Sequence, residues 1–439
     1  MKKVYLNIST DILHYGHIEL MKKAASLGEL TVGILTDEVV AEYKQIPLVS
    51  YQKRKEMISQ LAFVKNVVKQ DTLSYEKIIK QYHPDIIVHG DEWKVGSKAK
   101  IREELLRLVQ KYGGELVEFP YTKDETINTL ESDVFRRYAV PEIRRGMLKR
   151  LLELKKSVCV MEAHNGLTGL VVENAQAILE DGVKKSFDAM WISSLCDSAV
   201  RGKPDIELVD WSSKIDRINE IMEVTTKPII VDGDTGGLLE HFVYNIQTLE
   251  RIGVSAIIIE DKTGLKKNSL FGTEANQTQE IPEVFAEKIR RGKQVLKTKD
   301  FMIFARIESL ILEKGMEDAL LRARIYIEAG ADGIMIHSRK NTPDEIFEFC
   351  HQLKSEYPEI PIAAVPTTYN RVKEEVLKAN GINVIIHANH LLRSAFPAMK
   401  QTAEYILEDG CSGERADQNC MSIKEVINFI PLETEDFDK

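Results

Sequence analysis

The sequence predicts an α/β protein in which a doubly wound N-terminal domain precedes a C-terminal (β/α)8 barrel. Short apolar runs alternate with amphipathic stretches along the 439 residues, which is the pattern of parallel sheets covered by helices. Charged and polar residues follow many of these runs directly, as at the carboxyl ends of strands that carry a site. We place the first domain at residues 1–135, a linker helix at 136–156 and the barrel at 157–439.

Composition and charge exclude several functional classes. A net charge of -9 and a pI near 5.7 argue against a protein that coats nucleic acid. No apolar run reaches the length of a membrane span, and Met1 is followed by a short strand rather than by the core of a signal peptide. The five cysteines are scattered without CxxC spacing, which favours a reducing cytoplasm. We therefore expect a cytoplasmic enzyme or binding protein with no nucleic-acid partner and no membrane span.

A βαβ unit opens the first, Rossmann-like domain. Val4–Ile8 predicts a strand, Ile18–Leu27 has the apolar spacing of a helix, and Gly28 suits the cap of that helix. Leu30–Leu35 predicts the next parallel strand, and two further strands are predicted at residues 64–68 and 86–88. Ligands of such sheets bind beyond the carboxyl ends of the strands.

Two histidines lie where the first strand passes into its helix, in the sequence His14-Tyr15-Gly16-His17. Gly16 allows the backbone to approach a ligand closely, and the amino end of a helix favours phosphate. The two imidazoles can donate hydrogen bonds to a triphosphate as pyrophosphate leaves. A chance pair of surface histidines is the alternative, and the position of the pair directly after the first strand argues against it.

The HYGH segment resembles the HxGH signature of the nucleotidyltransferase superfamily. Asp37 after the second strand, Lys44 in AEYKQ, Arg54 in YQKRKEM and the segment HGDEW at 89–93 indicate the cytidylyltransferase branch. This resemblance covers residues 1 to 130. It implies that His14 and His17 hold the phosphates of CTP, and that Lys44 bridges CTP and the incoming phosphoryl group. The implied substrate-binding residues are Asp37, Arg54, His89, Asp91 and Thr129.

One segment departs from the cytidylyltransferase pattern. Thr126-Ile127-Asn128-Thr129 stands where family members carry an ISTS-like or ISTT-like segment preceded by glycine. The preceding glycine and the first serine are both absent from this chain.

The second domain contains eight apolar runs at the intervals expected for helical crossovers. They lie at residues 158–161, 189–192, 229–231, 256–259, 302–305, 333–336, 362–365 and 384–386. Eight strands that alternate with helices predict a barrel with its chemistry at the carboxyl ends of the strands. The basic segment 136–156 before them is predicted as a solvated linker helix rather than as a nucleic-acid patch.

Polar groups follow all eight runs, which favours an active site over chance polar residues at a barrel rim. Asp232, Asp234 and Glu260 offer oxygen ligands that suit Mg²⁺. Arg306 can pair with a carboxylate or a phosphonate in bidentate fashion, and His337 adds a further donor. The longest connection leaves Glu260 and is the expected lid over the site.

Several motifs of the second domain resemble the phosphoenolpyruvate mutases of the isocitrate lyase superfamily. The matching segments are MEAHNG at 161–166, VDGDTGG at 231–237, EDKTGLKKNSL at 260–270, FARIES at 304–309, MIHSRK at 335–340 and HANH at 387–390. The lyases of the superfamily carry a catalytic cysteine in a KKCGH-type or KRCGH-type loop. This chain has Lys266-Lys267-Asn268-Ser269 in that place, which argues against cleavage of carbon–carbon bonds.

The resemblance also implies roles for single residues. Asp205 would be the catalytic aspartate, and Asp232 would bind Mg²⁺ with Asp234 and Glu260 in the outer sphere. The other implied contacts are Trp191, Ser193, Ser194 and Leu195 to the pyruvyl end, Lys266, Asn268 and Ser269 to the migrating phosphoryl group, and Arg306 and His337 to the substrate. Closure of the loop would exclude water. The family further implies a homo-oligomer, a dimer or tetramer formed through the barrel.

Together the two resemblances predict a bifunctional enzyme of phosphonate biosynthesis. The barrel would isomerise phosphoenolpyruvate to phosphonopyruvate, and the first domain would transfer CMP from CTP to 2-aminoethylphosphonate. The steps between require a phosphonopyruvate decarboxylase and a transaminase as pathway partners. Three alternatives stay open: a phosphonopyruvate hydrolase as the barrel, phosphocholine or glycerol 3-phosphate as the acceptor, and a first domain that senses CTP without catalysis.

Overall fold

The computed structural model describes residues 1–9, 13–43, 46–94, 99–120, 136–179, 184–264, 266–269 and 277–430. The chain separates into a large unit, Met1–Ala388, and a second unit, Asn389–Lys439. The large unit contains a five-stranded sheet followed by a closed eight-stranded barrel, which confirms the predicted α/β fold class. Over the described residues, no helix combines the length and the apolar character needed to cross a membrane.

The N-terminal sheet is parallel, with the strand order β3-β2-β1-β4-β5. Its strands are β1 Lys3–Ile8, β2 Glu29–Leu35, β3 Asn66–Gln70, β4 Ile86–Gly90 and β5 Glu115–Phe119. Its helices are α1 Tyr15–Ala25, α2 Asp37–Tyr43, α3 Tyr51–Ser59, α4 Glu76–Tyr82 and α5 Ala99–Tyr112, with a 3-10 turn at Asp91–Lys94. The strand order reverses between β1 and β4, and ligands of such sheets bind beside that point.

Alternate residues of β1 pack on opposite faces of this sheet. Val4 and Leu6 belong to one apolar cluster with Met21 of α1, whereas Tyr5 belongs to another cluster with Trp93. Burial on both faces explains the nearly continuous apolar run that predicts this strand.

Three boundaries of the first domain differ from the prediction. Helix α1 begins at Tyr15, so His17 lies inside its first turn. The helix ends at Ala25, and its C-cap is Ser26 in helical conformation, so Gly28 is not the cap. A Cβ atom on Gly28 would lie 2.1 Å from the carbonyl oxygen of Lys2, which explains the glycine by close approach. Strand β3 starts two residues later than predicted.

Eight parallel strands close the barrel in sequence order, with the last strand paired to the first. They are β6 Val158–Glu162, β9 Ala189–Ile192, β10 Ile229–Asp232, β11 Ala256–Glu260, β14 Met302–Ile307, β15 Gly333–Ile336, β16 Ile362–Ala364 and β17 Val384–His387. Two antiparallel pairs lie outside the barrel: β7 Gln176–Ile178 with β8 Lys184–Ser186, and β12 Lys262–Thr263 with β13 Thr278–Gln279. All eight predicted strands are therefore confirmed.

One helix, α6 Pro141–Lys155, precedes the first barrel strand, and the other helices of the large unit's second half fill the connections of the barrel. These others are α7 Gly166–Asn174, α8 Ser194–Val200, α9 Trp211–Met222, α10 Leu239–Ile252, α11 Pro282–Val295, α12 Gly315–Glu328, α13 Asp344–Glu356 and α14 Glu374–Ala379. The second unit contains α15 His390–Asp409, α16 Glu414–Asp417 and α17 Ile423–Phe429.

Helix α6 is not the solvated linker that the sequence predicts. Leu148, Leu151 and Leu152 share one apolar cluster with the inward-facing residues of the barrel strands. Arg144 and Arg145 are buried and donate hydrogen bonds to backbone carbonyls of the barrel, including those of Thr225 and Glu250. The basic character of the segment predicts solvation, but the guanidinium groups of Arg144 and Arg145 bind carbonyls instead of facing water.

Gly33 on β2 makes room for a polar network of the first domain. A Cβ atom on Gly33 would lie 1.6 Å from the hydroxyl of Tyr5. That hydroxyl donates a 2.6 Å hydrogen bond to Oε1 of Gln70, and Asn7 donates to the same oxygen at 2.8 Å. Gln70 itself is 1% exposed at the carboxyl end of β3. The glycine thus allows a buried hydrogen-bond network at the strand ends.

We expect Gly33→Ala to lower the free energy of unfolding of the first domain by roughly 1–3 kcal/mol, because the new methyl overlaps the Tyr5 ring. Thermal or urea unfolding would measure the change. Gly146→Ala on α6 is the control, since the atoms nearest to its Cβ would be those of Asp300, at 3.6 Å or more. There alanine should be neutral or stabilising by up to about 1 kcal/mol. An equal loss in both variants would contradict the account.

Candidate active sites

Asp232 ends strand β10 and is held by three hydrogen bonds. Its Oδ2 accepts from the backbone N–H of Ser194 at 3.2 Å and from the Ser194 hydroxyl at 3.0 Å. Its Oδ1 accepts from the backbone N–H of Asp234 at 3.2 Å. The carboxylate is therefore fixed at the carboxyl edge of the barrel, where the sequence predicts it.

Asp234 lies between two lysines. Lys266 donates to its Oδ1 at 2.5 Å, and Lys214 of α9 donates to its Oδ2. Burial alone would raise the pKa of Asp234, but the charges of Lys266 and Lys214 outweigh burial and lower that pKa below its usual range. Because both of its carboxylate oxygens accept hydrogen bonds from ammonium groups, Asp234 is better suited to the outer coordination sphere of a metal ion than to direct ligation.

The lid residues Lys266 and Asn268 reach the predicted catalytic aspartate. The Lys266 ammonium lies 3.3 Å from Oδ1 of Asp205 and also donates to the hydroxyl of Ser194. Asn268 donates to Oδ2 of Asp205 at 3.3 Å, and the Ser194 hydroxyl lies 3.2 Å from Oδ1. The structure thus brings together four residues that the sequence predicts as parts of one site.

A second charged cluster joins the lid to strand β14. Arg306 donates to Oε1 of Glu308 at 2.6 Å and to the Ser269 hydroxyl at 2.6 Å. Ser269 donates in turn to Oε2 of Glu308 at 2.6 Å, and Lys262 donates to Ser269 at 3.0 Å. Burial would raise the pKa of Glu308, but the charges of Arg306 and Lys262 lower it below its usual range. Glu308 is therefore ionised and holds the cations in place.

Glu260, at the end of β11, is 1% exposed. Arg306 Nη2 and Lys262 Nζ lie 3.3 Å and 3.4 Å from its oxygens, but neither oxygen accepts a hydrogen bond from any residue that the structure describes. Burial raises the pKa of Glu260 to about 7 against the opposing charges of Arg306 and Lys262. A buried carboxylate without a hydrogen-bond donor is unfavourable when it is ionised, and a bound cation would stabilise it.

The donor atoms beside Glu260 are also oxygens. Asp232 and Asp234 lie on the adjacent strand end, and β10 pairs directly with β11. Carboxylate oxygens are ligands of hard divalent cations. The residues present therefore fit the cation that the sequence predicts.

The remaining predicted residues of the barrel surround these clusters. His337 directly follows β15, and burial together with the Arg306 charge lowers the pKa of its imidazole, so the ring is neutral. Trp191 points into the barrel core. Ser193 caps helix α8 by accepting from the backbone N–H of Cys196 at 3.4 Å, and Leu195 follows in the first turn of that helix.

The first domain has a cavity of about 130 Å³ at the carboxyl ends of its strands. His14, the N-cap of α1, and His17 lie in its wall with ring centroids 3.7 Å apart. His89 also lines the cavity and stacks on Trp93 at 3.6 Å. The cavity thus joins two motifs that are about 70 residues apart, and aromatic faces of this kind can stack on a base.

Other predicted residues of the first domain lie elsewhere or are not described. Asp37 pairs with Arg54 at 2.6 Å and accepts from the backbone N–H of Tyr51 at 3.1 Å, which joins α2 to α3. Asp91 begins the 3-10 turn after β4. Asp37, Arg54 and Asp91 are not among the residues that line the cavity. Lys44 and Thr129 lie outside the described residues, so their roles stay predictions.

Some site residues are absent from the sequence prediction. Lys214 is far in sequence from the other motifs, and nothing in its segment distinguishes it from an ordinary helical lysine. In the fold, α9 positions it to donate a hydrogen bond to Asp234. Gln70 ends a half-exposed strand, yet its side chain organises Tyr5 and Asn7 beside the cavity. Glu308 is different, since the sequence places it beside Arg306 at the end of a buried strand but assigns it no role.

The fold and its two sites define a class: an α/β enzyme with a carboxylate-rich barrel and a histidine-lined cavity at the strand–helix junction of a second sheet. Residues 148–407 match the family described as "Phosphoenolpyruvate phosphomutase", and residues 9–132 match "Cytidylyltransferase-like". The chain is 34% identical to the phosphoenolpyruvate phosphomutase of Streptomyces viridochromogenes over 302 residues, 68% of this chain and 91% of the relative.

Two solved structures share the barrel. Phosphoenolpyruvate phosphomutase from Streptomyces platensis subsp. rosaceus matches at 30% identity with a TM-score of 0.59, over 64% of this chain and 93% of its own. A phosphonopyruvate hydrolase in complex with oxalate and Mg²⁺ also matches at 30% identity, with a TM-score of 0.56, over 65% of this chain and 94% of its own.

The chain therefore belongs to the phosphoenolpyruvate phosphomutase family and carries a cytidylyltransferase-like domain before the barrel. It is an enzyme that joins an isomerase domain to a nucleotidyltransferase domain. This confirms the family assignments that the sequence motifs indicate.

The raised pKa of Glu260 predicts a pH dependence of the metal-free protein. Its pKa is 4.5 ordinarily and about 7 in the fold, so between these values the folded state holds a proton that the unfolded state has lost. The contribution of Glu260 to stability therefore falls as pH rises from 4.5 to 7, by on the order of 1–3 kcal/mol. The lowered pKa of His337 acts in the opposite direction over this range, so the test is a comparison of two proteins. Between pH 5 and pH 8 in EDTA, the unfolding free energy of the wild type should change less favourably than that of Glu260→Gln. Equal changes in both proteins would contradict the assignment.

Proposed function

We propose that the barrel interconverts phosphoenolpyruvate and phosphonopyruvate. The observation that carries this proposal is the cover over the site: Lys266 and Ser269 are 4% and 5% exposed and bind residues of the barrel directly. In the isomerisation the bond from phosphorus to the enol oxygen breaks, and a bond from phosphorus to carbon 3 forms. No water or proton is consumed, so a covered site suits this reaction.

The cover also favours isomerisation over hydrolysis. A hydrolase must admit water to the phosphoryl group, whereas Lys262 fastens this lid by donating to the carbonyl of Lys267, the hydroxyl of Ser269 and the amide of Gln277, all at 2.9–3.0 Å. Because the barrel is also similar to a phosphonopyruvate hydrolase, hydrolysis is the alternative reaction that an experiment must distinguish.

The residues of the site have distinct proposed roles. Arg306 and neutral His337 would hold the substrate by hydrogen bonds to its anionic oxygens. Lys266, Asn268 and Ser269 would contact the migrating phosphoryl group, and Asp205 would be the catalytic aspartate. Trp191, Ser193, Ser194 and Leu195 would shape the pocket for the pyruvyl end.

We propose Mg²⁺ as the cation, held by Asp232 with Asp234 and Glu260 around it. The buried Glu260 oxygens and the all-oxygen donor set support this choice. When bound, Mg²⁺ would neutralise charge on the enolate and carboxylate oxygens of the substrate. The engagement of Asp234 by Lys214 and Lys266 supports its outer-sphere place.

For the first domain, we propose transfer of CMP from CTP to 2-aminoethylphosphonate. A phosphonate oxygen of the acceptor would attack the α-phosphorus of CTP, and pyrophosphate would leave. The paired rings of His14 and His17 at the amino end of α1 support stabilisation of this leaving group. Fusion to the barrel supports the aminophosphonate as acceptor, because the product of the barrel is also a phosphonate.

We further propose a cytoplasmic homo-oligomer, a dimer or tetramer formed through the barrel, that works beside a phosphonopyruvate decarboxylase and a transaminase. The second unit supports association, since its helices expose large apolar side chains. These include Phe396, Met399, Leu407, Ile423 and Ile427. Light scattering on the purified protein would measure the assembly.

Phosphorus NMR would test the barrel. With Mg²⁺ and phosphonopyruvate we expect phosphoenolpyruvate to form without inorganic phosphate. Asp232→Asn should lower the rate about 100-fold or more, because it removes the proposed metal ligand. Asp216→Asn, an exposed carboxylate on α9, should leave the rate unchanged. Phosphate and pyruvate as the products of the wild type would establish the hydrolase instead.

A panel of acceptors with labelled CTP would test the first domain. We expect pyrophosphate release with 2-aminoethylphosphonate, and a loss of about 100-fold or more in His14→Ala and His17→Ala. His351→Ala, an exposed histidine on α13, is the matched control. Turnover only with phosphocholine or glycerol 3-phosphate would show that one of these compounds, and not 2-aminoethylphosphonate, is the acceptor. CTP binding without turnover of any acceptor would show that the first domain senses CTP without catalysis.

A further inference from the structure

A cluster of three potential metal ligands lies on the outer wall of the barrel, apart from the active site. It consists of the thiol of Cys159 on β6, the carboxylate of Glu374 at the start of α14 and the imidazole of His387 on β17. Cys159 lies three residues before Glu162 on the same strand, which is about 10 Å along a strand. Its neighbours Val158 and Val160 point into the barrel core, so Cys159 points outward.

We propose that Cys159, Glu374 and His387 bind one Zn²⁺ ion whose fourth position is open to solvent. The three ligand atoms lie within 4.8 Å of one another. Thiolate, imidazole and carboxylate together suit Zn²⁺, whereas Mg²⁺ and Ca²⁺ require oxygen ligands.

The two separations that involve Glu374 fit this ion. Glu374 Oε1 lies 3.3 Å from the Cys159 sulfur and 3.4 Å from Nε2 of His387. Tetrahedral zinc with bonds of about 2.0–2.3 Å places neighbouring ligand atoms about 3.3–3.5 Å apart. A nitrogen–oxygen hydrogen bond is shorter, at roughly 2.7–3.2 Å. The separation between His387 and Glu374 is thus long for a hydrogen bond and right for two ligands of one metal.

Groups around the cluster orient its members. Lys185 binds the second oxygen of Glu374 at 2.7 Å, which leaves Oε1 directed at the cluster. The carboxylate of Asp188 accepts from the backbone N–H of Cys159 at 2.8 Å. The ring of Phe187 meets that of His387 edge-on with a centroid distance of 6.4 Å. Partners of this kind fix ligands at protein metal sites.

The open position would face a cavity. Cys159 and Glu374 both line a cavity of about 750 Å³ on this flank of the barrel. An ion could enter from there, and a water molecule could complete its coordination. Binding would release the thiol proton to solvent and form bonds from the metal to sulfur, oxygen and nitrogen. Because β17 pairs with β6, the ion would join the last barrel strand to the first and to α14.

Cobalt substitution would test the site. The full-length protein, stripped with a chelator and kept in saturating Mg²⁺ with a phosphine reductant, is titrated with Co²⁺ and then with Zn²⁺. We expect one equivalent of Co²⁺ with a sulfur-to-cobalt charge-transfer band, displacement by Zn²⁺, and a rise of the unfolding midpoint by roughly a few degrees.

The variants Cys159→Ser, His387→Gln and Glu374→Gln should each lose the band or lower the affinity at least about 10-fold. Cys350 is a buried cysteine on α13, and Cys350→Ser should keep both the charge-transfer band and the affinity for Co²⁺. A second sulfur-containing cluster, formed by Glu162, His164 and Cys196, provides the competing location. No charge-transfer band in the wild type, or a band lost in Cys196→Ser but kept in Cys159→Ser, would overturn the proposal. Circular dichroism without metal verifies that each variant is folded.

Discussion

The burial of opposite charges at the carboxyl edge of the barrel is the constraint on which the site depends. Glu260 and Glu308 are at most 1% exposed, and they are balanced by Arg306 and Lys262. Removing one member of such a pair leaves an uncompensated buried charge, which typically costs about 3–5 kcal/mol. The partners come from different strands and from the lid. The position of the lid is therefore set by the same charges that form the site.

This arrangement connects the fold to the proposed chemistry. The cations that balance the carboxylates are also the groups that a doubly charged phosphoryl substrate needs. A lid fastened by Lys262 and Ser269 would keep water from that substrate. The segment Lys266-Lys267-Asn268-Ser269 contains no cysteine, which argues against lyase chemistry at this loop. Preorganised charge in a covered site stabilises a transition state more strongly than charge in water does.

The parts of the structure that could be predicted are those with local sequence signals. The eight barrel strands are continuous apolar runs, and Asp232 and Glu260 follow two of them directly. The sequence predicts a solvated helix α6, whereas its arginines bind backbone carbonyls that are distant in sequence, such as that of Thr225. Lys214 and the cluster around Cys159 also depend on contacts across the fold. Such contacts leave no periodic pattern, so a single sequence does not reveal them.

The most direct test of the account is the fate of the phosphoryl group when the lid is loosened. Ser269→Ala removes the hydroxyl that joins the lid to Arg306, Glu308 and Lys262, whereas Thr263→Ala removes a hydroxyl with one weak bond at the base of the same lid. Phosphorus NMR on phosphonopyruvate with Mg²⁺ measures phosphoenolpyruvate and phosphate together. We expect Ser269→Ala to release phosphate and to isomerise phosphonopyruvate more slowly, whereas Thr263→Ala and the wild type should release no phosphate. Phosphate from the wild type, or none from Ser269→Ala at a measurable rate of turnover, would contradict the claim that this lid excludes water.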